Sequence, residues 1–514
     1  MVKSNAIVKI LSAVLRSVFM LSACILFSAC AGVNNSNPDI ESLVVSTGTL
    51  SPSFDRSVTS YTLKVSLETT SFTVTPVAVA RFAVAMRATL STAVVAVELK
   101  SNEESTPFTV EPGTSTLTIN CKSPDKKVEK NYVITIIRGL SVEESVITGN
   151  DTGNSDNFGT SIAISEDTLV VGAPQGAGTG NGIAYVFTRS GSTWVQEAKL
   201  TASDGTDDDR FGCSVGIYGD TIVVGAMRED TTQLQSGAAY VYTRSGTTWT
   251  ERQKLKNPTP GATYYFGTSV GIYGDVIVVG EPNYLTGYWG AAHVFTGSGA
   301  SWVYTTILTA SDTAGNDSFG ASVAIYNGTI VVGAEGKLFN VGAVYVYTTA
   351  TGSWSERAIL YAVEGAAVNS YFGQSVSISG NLIVVGAYGE STTASGSGGL
   401  YAFIGSDSLW IPDSGVIKAE DPEVGDSLGW SVVVQGNFIA AGAINKDSNR
   451  GAVYLFMKNT SGVWTDSGGP TYISGAAVGD YFGYSIAIYG EEVVSGAYRE
   501  IETTPDSGAV HTFY

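Results

Sequence analysis

Arg210–Ala226 reads RFGCSVGIYGDTIVVGA, and most of the chain consists of variants of this stretch. A Phe-Gly pair opens it. An alternating apolar run follows, Gly219-Asp220 reverses it, and a second apolar run ends at Gly225-Ala226. The pattern occurs seven times. It opens at Phe158, Phe211, Phe266, Phe319, Phe372, Leu428 and Phe482, and closes at Gly172, Gly225, Gly280, Gly333, Gly386, Gly442 and Gly496. Opener and closer are 14 residues apart in every copy, whereas the step between copies varies from 53 to 56. A fixed internal length with variable spacers marks a structural repeat.

Each repeat holds four strand-like runs. In the second they are FGCSVGIY (Phe211 to Tyr218), TIVVGA, GAAYVYTR (Gly237 to Arg244) and TTWTERQKL, which ends at Leu255. Seven such units predict an all-β chain whose main body is a seven-bladed β-propeller over residues 141–514. Radial packing makes both faces of each blade apolar, as the runs VGIY, VAIY and IVVGA are. The opener Phe is expected to fill the gap between adjacent inner strands, and the Gly to let backbones approach. Trp194, Trp249, Trp302, Trp354, Trp410 and Trp464 recur in the fourth run and read as packing residues. The seventh repeat stops at Tyr514 after its third run, and Ser141–Thr148 has fourth-strand character. Residues 141–148 are therefore predicted to complete the last blade.

The motif F-G-x-S-[VI]-x-[IV] followed by [IV]-V-V-G-A resembles the FG-GAP repeat of the integrin α-subunit propeller and its bacterial relatives. Gly-Ala-Pro survives in full at Gly172-Ala173-Pro174. Blades of that family often carry a D-x-[DN]-x-D-G calcium loop between the first two strands. Here that connection is only a short turn, such as Gly219-Asp220, Gly274-Asp275, Asn327-Gly328 or Gly380-Asn381, with too few oxygens to cage calcium.

Ahead of the repeats, residues 39–139 carry about seven short alternating runs, among them SYTLKVSL and NYVITIIR. They predict a small immunoglobulin-like β-sandwich. Leu43, Gly48, Leu50, Phe54, Tyr61, Tyr132 and Arg138 resemble the marks of the cadherin-like β-sandwich family of bacterial surface proteins, which implies a spacer or stalk. Residues 1–30 read as a lipoprotein signal peptide, with the apolar run SVFMLSACILFSA at 17–29. That run is too short to span a bilayer. Cys30 is the expected acylation site, with Cys24 as the alternative, and residues 31–38 form a tether. Cys121 and Cys213 fall in different domains and read as buried thiols.

The chain has 47 acidic and 28 basic residues and a net charge of −19. That balance argues against nucleic acid as a partner. The loops from strand four to the next strand one gather Asp151, Asp156, Asp204, Asp207, Asp208, Asp209, Asp312, Asp317, Asp421 and Asp426 on one rim. They read as solvated loops or, alternatively, as a weak calcium site at Asp204, Asp207 and Asp209. On the same face the loop EPNYLTGYW places Tyr284, Tyr288 and Trp289 outside the repeat positions, which suggests a protein or glycan contact. His293 and His511 share the third-strand register of Tyr185, Tyr240, Tyr345, Tyr401 and Tyr454, so they read as structural. No catalytic motif stands out, and no cofactor other than calcium is implied.

These readings point to a monomeric, lipid-anchored outer-membrane protein. It would bind an extracellular protein or glycan with the loop face, in adhesion. Two alternatives stay open: a periplasmic-facing envelope scaffold, and a carboxylate-dependent hydrolase of polysaccharide or phosphoester, for which two suitably spaced carboxyls would suffice.

Overall fold

The computed structural model describes residues 37–513, apart from 66–68, 80–84, 92–95, 111–112, 139–142, 177–179, 192, 231–232, 284–286, 351, 364–367, 460, 468, 474, 491 and 502–505. The signal peptide, Cys24, Cys30, most of the tether and Tyr284 lie outside the described residues. No described helix is long and apolar enough to cross a membrane.

The seven repeats form seven antiparallel four-stranded sheets. In the second blade these are Phe211–Tyr218, Thr221–Ala226, Ala238–Ser245 and Thr248–Leu255, paired in that order. The seventh sheet takes its outermost strand from the other end of the propeller. Glu143–Ile147 lies antiparallel to Ala509–Phe513, with Val146 opposite His511. The fourth strands of blades five and six shrink to Leu409–Pro412 and Trp464–Asp466. Past each, the chain returns to the third strand through single bridges at Ile417 and Thr471.

Second and third strands are buried along nearly their whole length, so both faces of each sheet meet a neighbour. The core between blades one and two joins Val170, Ala184, Val186 and Leu200 of one to Phe211, Ile222, Val224 and Tyr240 of the next. The opener rings are fully buried and enter the core between blades, where Phe211 packs with Val170, Ala184 and Val186 of the preceding blade. Phe211 meets the third strand of its own blade edge-on, 5.5 Å from Tyr240 and 6.1 Å from Tyr242. The ring turns that way because the backbone bulges between Phe211 and Ser214.

The residues beside the Phe also join the inner strands. The opener glycines hold φ between +89° and +94° in all seven copies, a region closed to most side chains. Each turns its carbonyl to the preceding blade. There it accepts a hydrogen bond from the Ser of F-G-x-S: Ser161 to Gly212 and Ser214 to Gly267, both at 2.8 Å. The closing Gly leaves the space for this. A Cβ on Gly225 would lie 2.1 Å from the Gly267 carbonyl oxygen. The seventh bond runs from Ser485 back to Gly159 at 2.6 Å and closes the ring.

Among the described residues, five fourth-strand Trp donate their indole N–H within the blade stack. Trp249 reaches Glu197 of the preceding blade at 2.8 Å, and Trp464 reaches Asp413 at 2.8 Å. Trp194, Trp302 and Trp410 bond Glu492, Gly299 and Asp407.

The N-terminal domain has a six-stranded sheet and two two-stranded pairs around one core. Tyr61, Leu63, Ile119, Tyr132 and Ile134 are buried there, and Phe54 stacks 5.4 Å from Tyr61. Arg138 is buried and donates to the Val110 carbonyl at 2.8 Å. Cys121 is a buried free thiol whose pKa burial pushes up to about 12, and Cys213 is also free.

Gly225→Ala should lower the denaturant midpoint by an amount worth about 2–3 kcal/mol, because its Cβ meets backbone. Gly216→Ala, in the same blade, finds its nearest neighbour at 3.4 Å and should change stability by less than about 1 kcal/mol. Equal effects in equilibrium unfolding would contradict the interblade account.

Candidate ligand site at the axial mouth

The rim carboxylates are mostly engaged within the protein. Asp156, Asp209, Asp317, Asp426 and Asp480 each stand two residues before an opener and are buried. Each accepts the backbone N–H three residues earlier, at 2.7 Å from Gly153, Thr206, Ala314 and Glu423 and 2.5 Å from Ala477. These bonds close the loop, in the manner of an Asx turn. Burial pushes the carboxyls of Asp156 and Asp209 above the usual range.

A second set points at the third strand. Asp151, Asp204, Asp312 and Asp421 accept the hydroxyls of Tyr185, Tyr240, Tyr345 and Tyr454 at 2.6–3.0 Å. Lys199, Lys254, Lys337 and Lys446 then bind the same four carboxylates. At Asp204 burial opposes ionisation, but Lys254 and Tyr240 outweigh it and hold the pKa low. Asp208 bridges Arg210 and Arg228, each at 2.8 Å. Of the ten predicted rim aspartates, Asp207 alone is exposed without such a partner among the described residues. No described group of three His, Cys, Asp or Glu side chains is placed to hold a metal ion, and Asp204, Asp207 and Asp209 do not form one.

The register holding the histidines is fully buried and faces a carboxylate in every blade. In blade three the carboxylate ends the second strand, and in blades five and seven it comes from the loop between strands two and three. Tyr401 bonds Glu390 at 2.7 Å, His511 meets Glu500 at 2.5 Å, and His293 lies 3.4 Å from Glu281. Tyr288 and Trp289 are 44 % and 48 % exposed, and Tyr288 lies 6.1 Å from Tyr264.

The one residue of F-G-x-S whose type varies freely between copies is x. Thr160, Cys213, Thr268, Ala321, Gln374, Trp430 and Tyr484, one from each blade, line a single cavity of ≈ 380 Å³. It lies on the propeller axis, where first strands begin and second strands end, and so on the same face as the rim loops. Asn157, Pro174, Arg210, Met227, Glu335 and Tyr498 complete its wall.

The wall is lopsided. In blades one to four the x residues are small, but blades five to seven place Gln374, Trp430 and Tyr484 there. Their rings join an unbroken aromatic arc. Tyr371 stacks on Tyr388 at 4.6 Å, Tyr388 meets Trp430 at 5.1 Å, Trp430 meets Tyr484 at 5.6 Å, and Tyr484 meets Tyr498 at 4.3 Å. The Arg499 guanidinium lies over Tyr498 at 5.3 Å and over Tyr481 at 5.4 Å. Burial alone pushes the carboxyl of Glu335 up to about 7. Sequence reasoning passes over this site. Its signal was the departure of one repeat position from small residues to Gln, Trp and Tyr in the last three copies.

Comparison with known proteins agrees with the repeat. The FG-GAP repeat family matches residues 142–187, 194–242, 249–295, 302–347, 354–403, 413–456 and 473–513. The cadherin-like β-sandwich domain matches residues 40–139. No curated protein matches the chain. Among solved structures, a candidate 6-phosphogluconolactonase from Bacteroides uniformis is similar at 9 % identity and a TM-score of 0.43, over 70 % of this chain and 92 % of that one.

Glu335 gives the mouth a pH signature. Its folded pKa lies above the unfolded value, so between about pH 4.5 and 7 the folded state binds more protons and stability falls as pH rises. Glu335→Gln should remove that slope. The variant should gain at most about 3 kcal/mol over the native protein by pH 8 and nothing at pH 4. Parallel stability–pH curves would show that Glu335 is solvated.

Proposed function

For this chain, which belongs to the FG-GAP repeat family and carries a cadherin-like β-sandwich ahead of its propeller, we propose a non-enzymatic role in binding at the cell surface. Acylation of Cys30 would anchor it to the outer membrane, and the propeller would present its axial mouth to an extracellular protein or glycan. The observation that carries this reading is the lopsided mouth. The propeller closes as well with Thr, Cys or Ala at the x position as with Trp or Tyr, so packing alone does not call for the aromatic arc. Aromatic side chains gathered in a concave wall with a few polar groups are the usual make-up of a ligand site.

The same geometry moves weight away from the rim. Its carboxylates are bonded to backbone amides, tyrosines and lysines, which is unfavourable to a calcium-dependent or hydrolytic rim. Display at the surface distinguishes the reading from an envelope scaffold, because protease applied to intact cells should digest the propeller of a surface protein.

The function is tested by binding to an array of glycans and matrix proteins, with calcium and with chelator. Selective binding indifferent to chelator is expected. Trp430→Ala should weaken it at least about tenfold, and Asp207→Asn should leave it unchanged. Binding that survives Trp430→Ala, or turnover of an array glycan, would overturn the proposal.

A further inference from the structure

Resting on the axial mouth as the binding site, the chemistry of its wall narrows the ligand. A volume of ≈ 380 Å³ admits one small ring system rather than an extended peptide face. One side of the mouth is aromatic, with Trp430, Tyr484 and Tyr498 in the wall and Tyr388 packed against Trp430. The rest mixes the small or apolar Pro174, Met227 and Ala321 with the polar Asn157, Arg210, Gln374 and Glu335. Planar amide, guanidinium and carboxyl groups supply donors and acceptors in pairs, which suits neighbouring hydroxyls.

Charge separates the ligand classes. A cation would find rings to stack on, but Arg499 already lies over two of them and Arg210 shares the wall. Glu335 is the one carboxylate in the described wall, and its site opposes ionisation. An anion would find Arg210 already paired with Asp208 and would meet a chain of net charge −19. A neutral ring with one C–H face and a hydroxyl edge meets none of these penalties.

We propose that the axial mouth binds a neutral pyranose of a glycan chain, with the sugar's C–H face on the Trp430–Tyr484 side and its hydroxyl edge toward Glu335 and Gln374. Stacking of a sugar face on aromatic rings buries apolar area while the hydroxyls keep their hydrogen bonds. Ala321 occupies in blade four the position that Trp430 occupies in blade six. The repeat therefore tolerates a large ring there.

The test is saturation-transfer NMR on the full chain with methyl glucoside, galactoside, mannoside and N-acetylglucosaminide. Tetramethylammonium, methylguanidinium and glucuronate are run beside them. At least one neutral glycoside should bind, with saturation concentrated on the protons of one ring face. Trp430→Ala and Ala321→Trp should each weaken that binding at least about tenfold, the first by removing the platform and the second by filling the mouth. Trp430→Phe should retain most of it, which separates loss of stacking from loss of fold. Binding of the charged probes alone, or neutral binding unchanged in Ala321→Trp, would overturn the proposal. If no glycoside binds while an array protein is still lost on Trp430→Ala, the sugar assignment fails and the mouth stands. If neither binds, both fail.

Discussion

The hydrogen bond from the Ser of each F-G-x-S to the opener Gly carbonyl of the next blade is the constraint on which the propeller depends. Seven such bonds circle the axis, and the last joins Ser485 to Gly159 across 326 residues of sequence. Each is worth only about 1 kcal/mol net. Their geometry matters more than their energy. They fix the separation of adjacent inner strands at a distance that excludes a Cβ on the closing Gly, since that Cβ would lie 1.9–2.1 Å from the carbonyl oxygen in every copy. Blade number and closure then follow from one local contact repeated. Glu143–Ile147 adds the outer half of closure by pairing with the C-terminal strand, so the ring is sealed at both its inner and outer edges.

This contact also explains the motif letter by letter. Gly is required twice, once for a φ near +90° and once for close approach. Ser is required because a carbonyl turned out of its own sheet needs a donor in a buried place. The Phe covers the bulge that the Gly creates. Leu428, the one opener without a ring, is also buried, and there Tyr454 and Phe456 stack with each other at 6.4 Å instead of meeting an opener ring.

Much of this was legible in the sequence. Constant spacing exposed the repeat, the missing fourth run marked where the two ends of the propeller meet, and shared register placed His293 and His511 with the buried third-strand tyrosines. The acidic rim was harder to read, because charge density looks the same whether a carboxylate faces solvent or a neighbour. Asp204 was counted as a ligand candidate, yet its partners Tyr240 and Lys254 lie 36 and 50 residues away. Asp209 was counted with it, yet it caps its own loop at Thr206. Composition cannot report such pairings. The mouth was missed for the opposite reason. Its members are single letters from separate repeats, and only the ring brings Glu335 and Trp430 into one wall.

The same constraint determines where the fold can accept new chemistry. Within F-G-x-S, three positions are bound by the interblade contact or the core, and x alone points to the axis without a partner demanded by the ring. Substitution there changes the lining of the mouth and leaves the Ser–Gly contact in place. Blades one to four keep small side chains at x, while blades five to seven replace them with an amide and two aromatic rings. A site built this way is rigid, since each x residue in its wall sits between a left-turned Gly and a hydrogen-bonded Ser. A rigid aromatic wall loses little conformational entropy on binding, so a small ligand can be held with few contacts. The propeller thus supplies preorganisation through its most repetitive feature, and selectivity through the one letter in that feature that does not repeat.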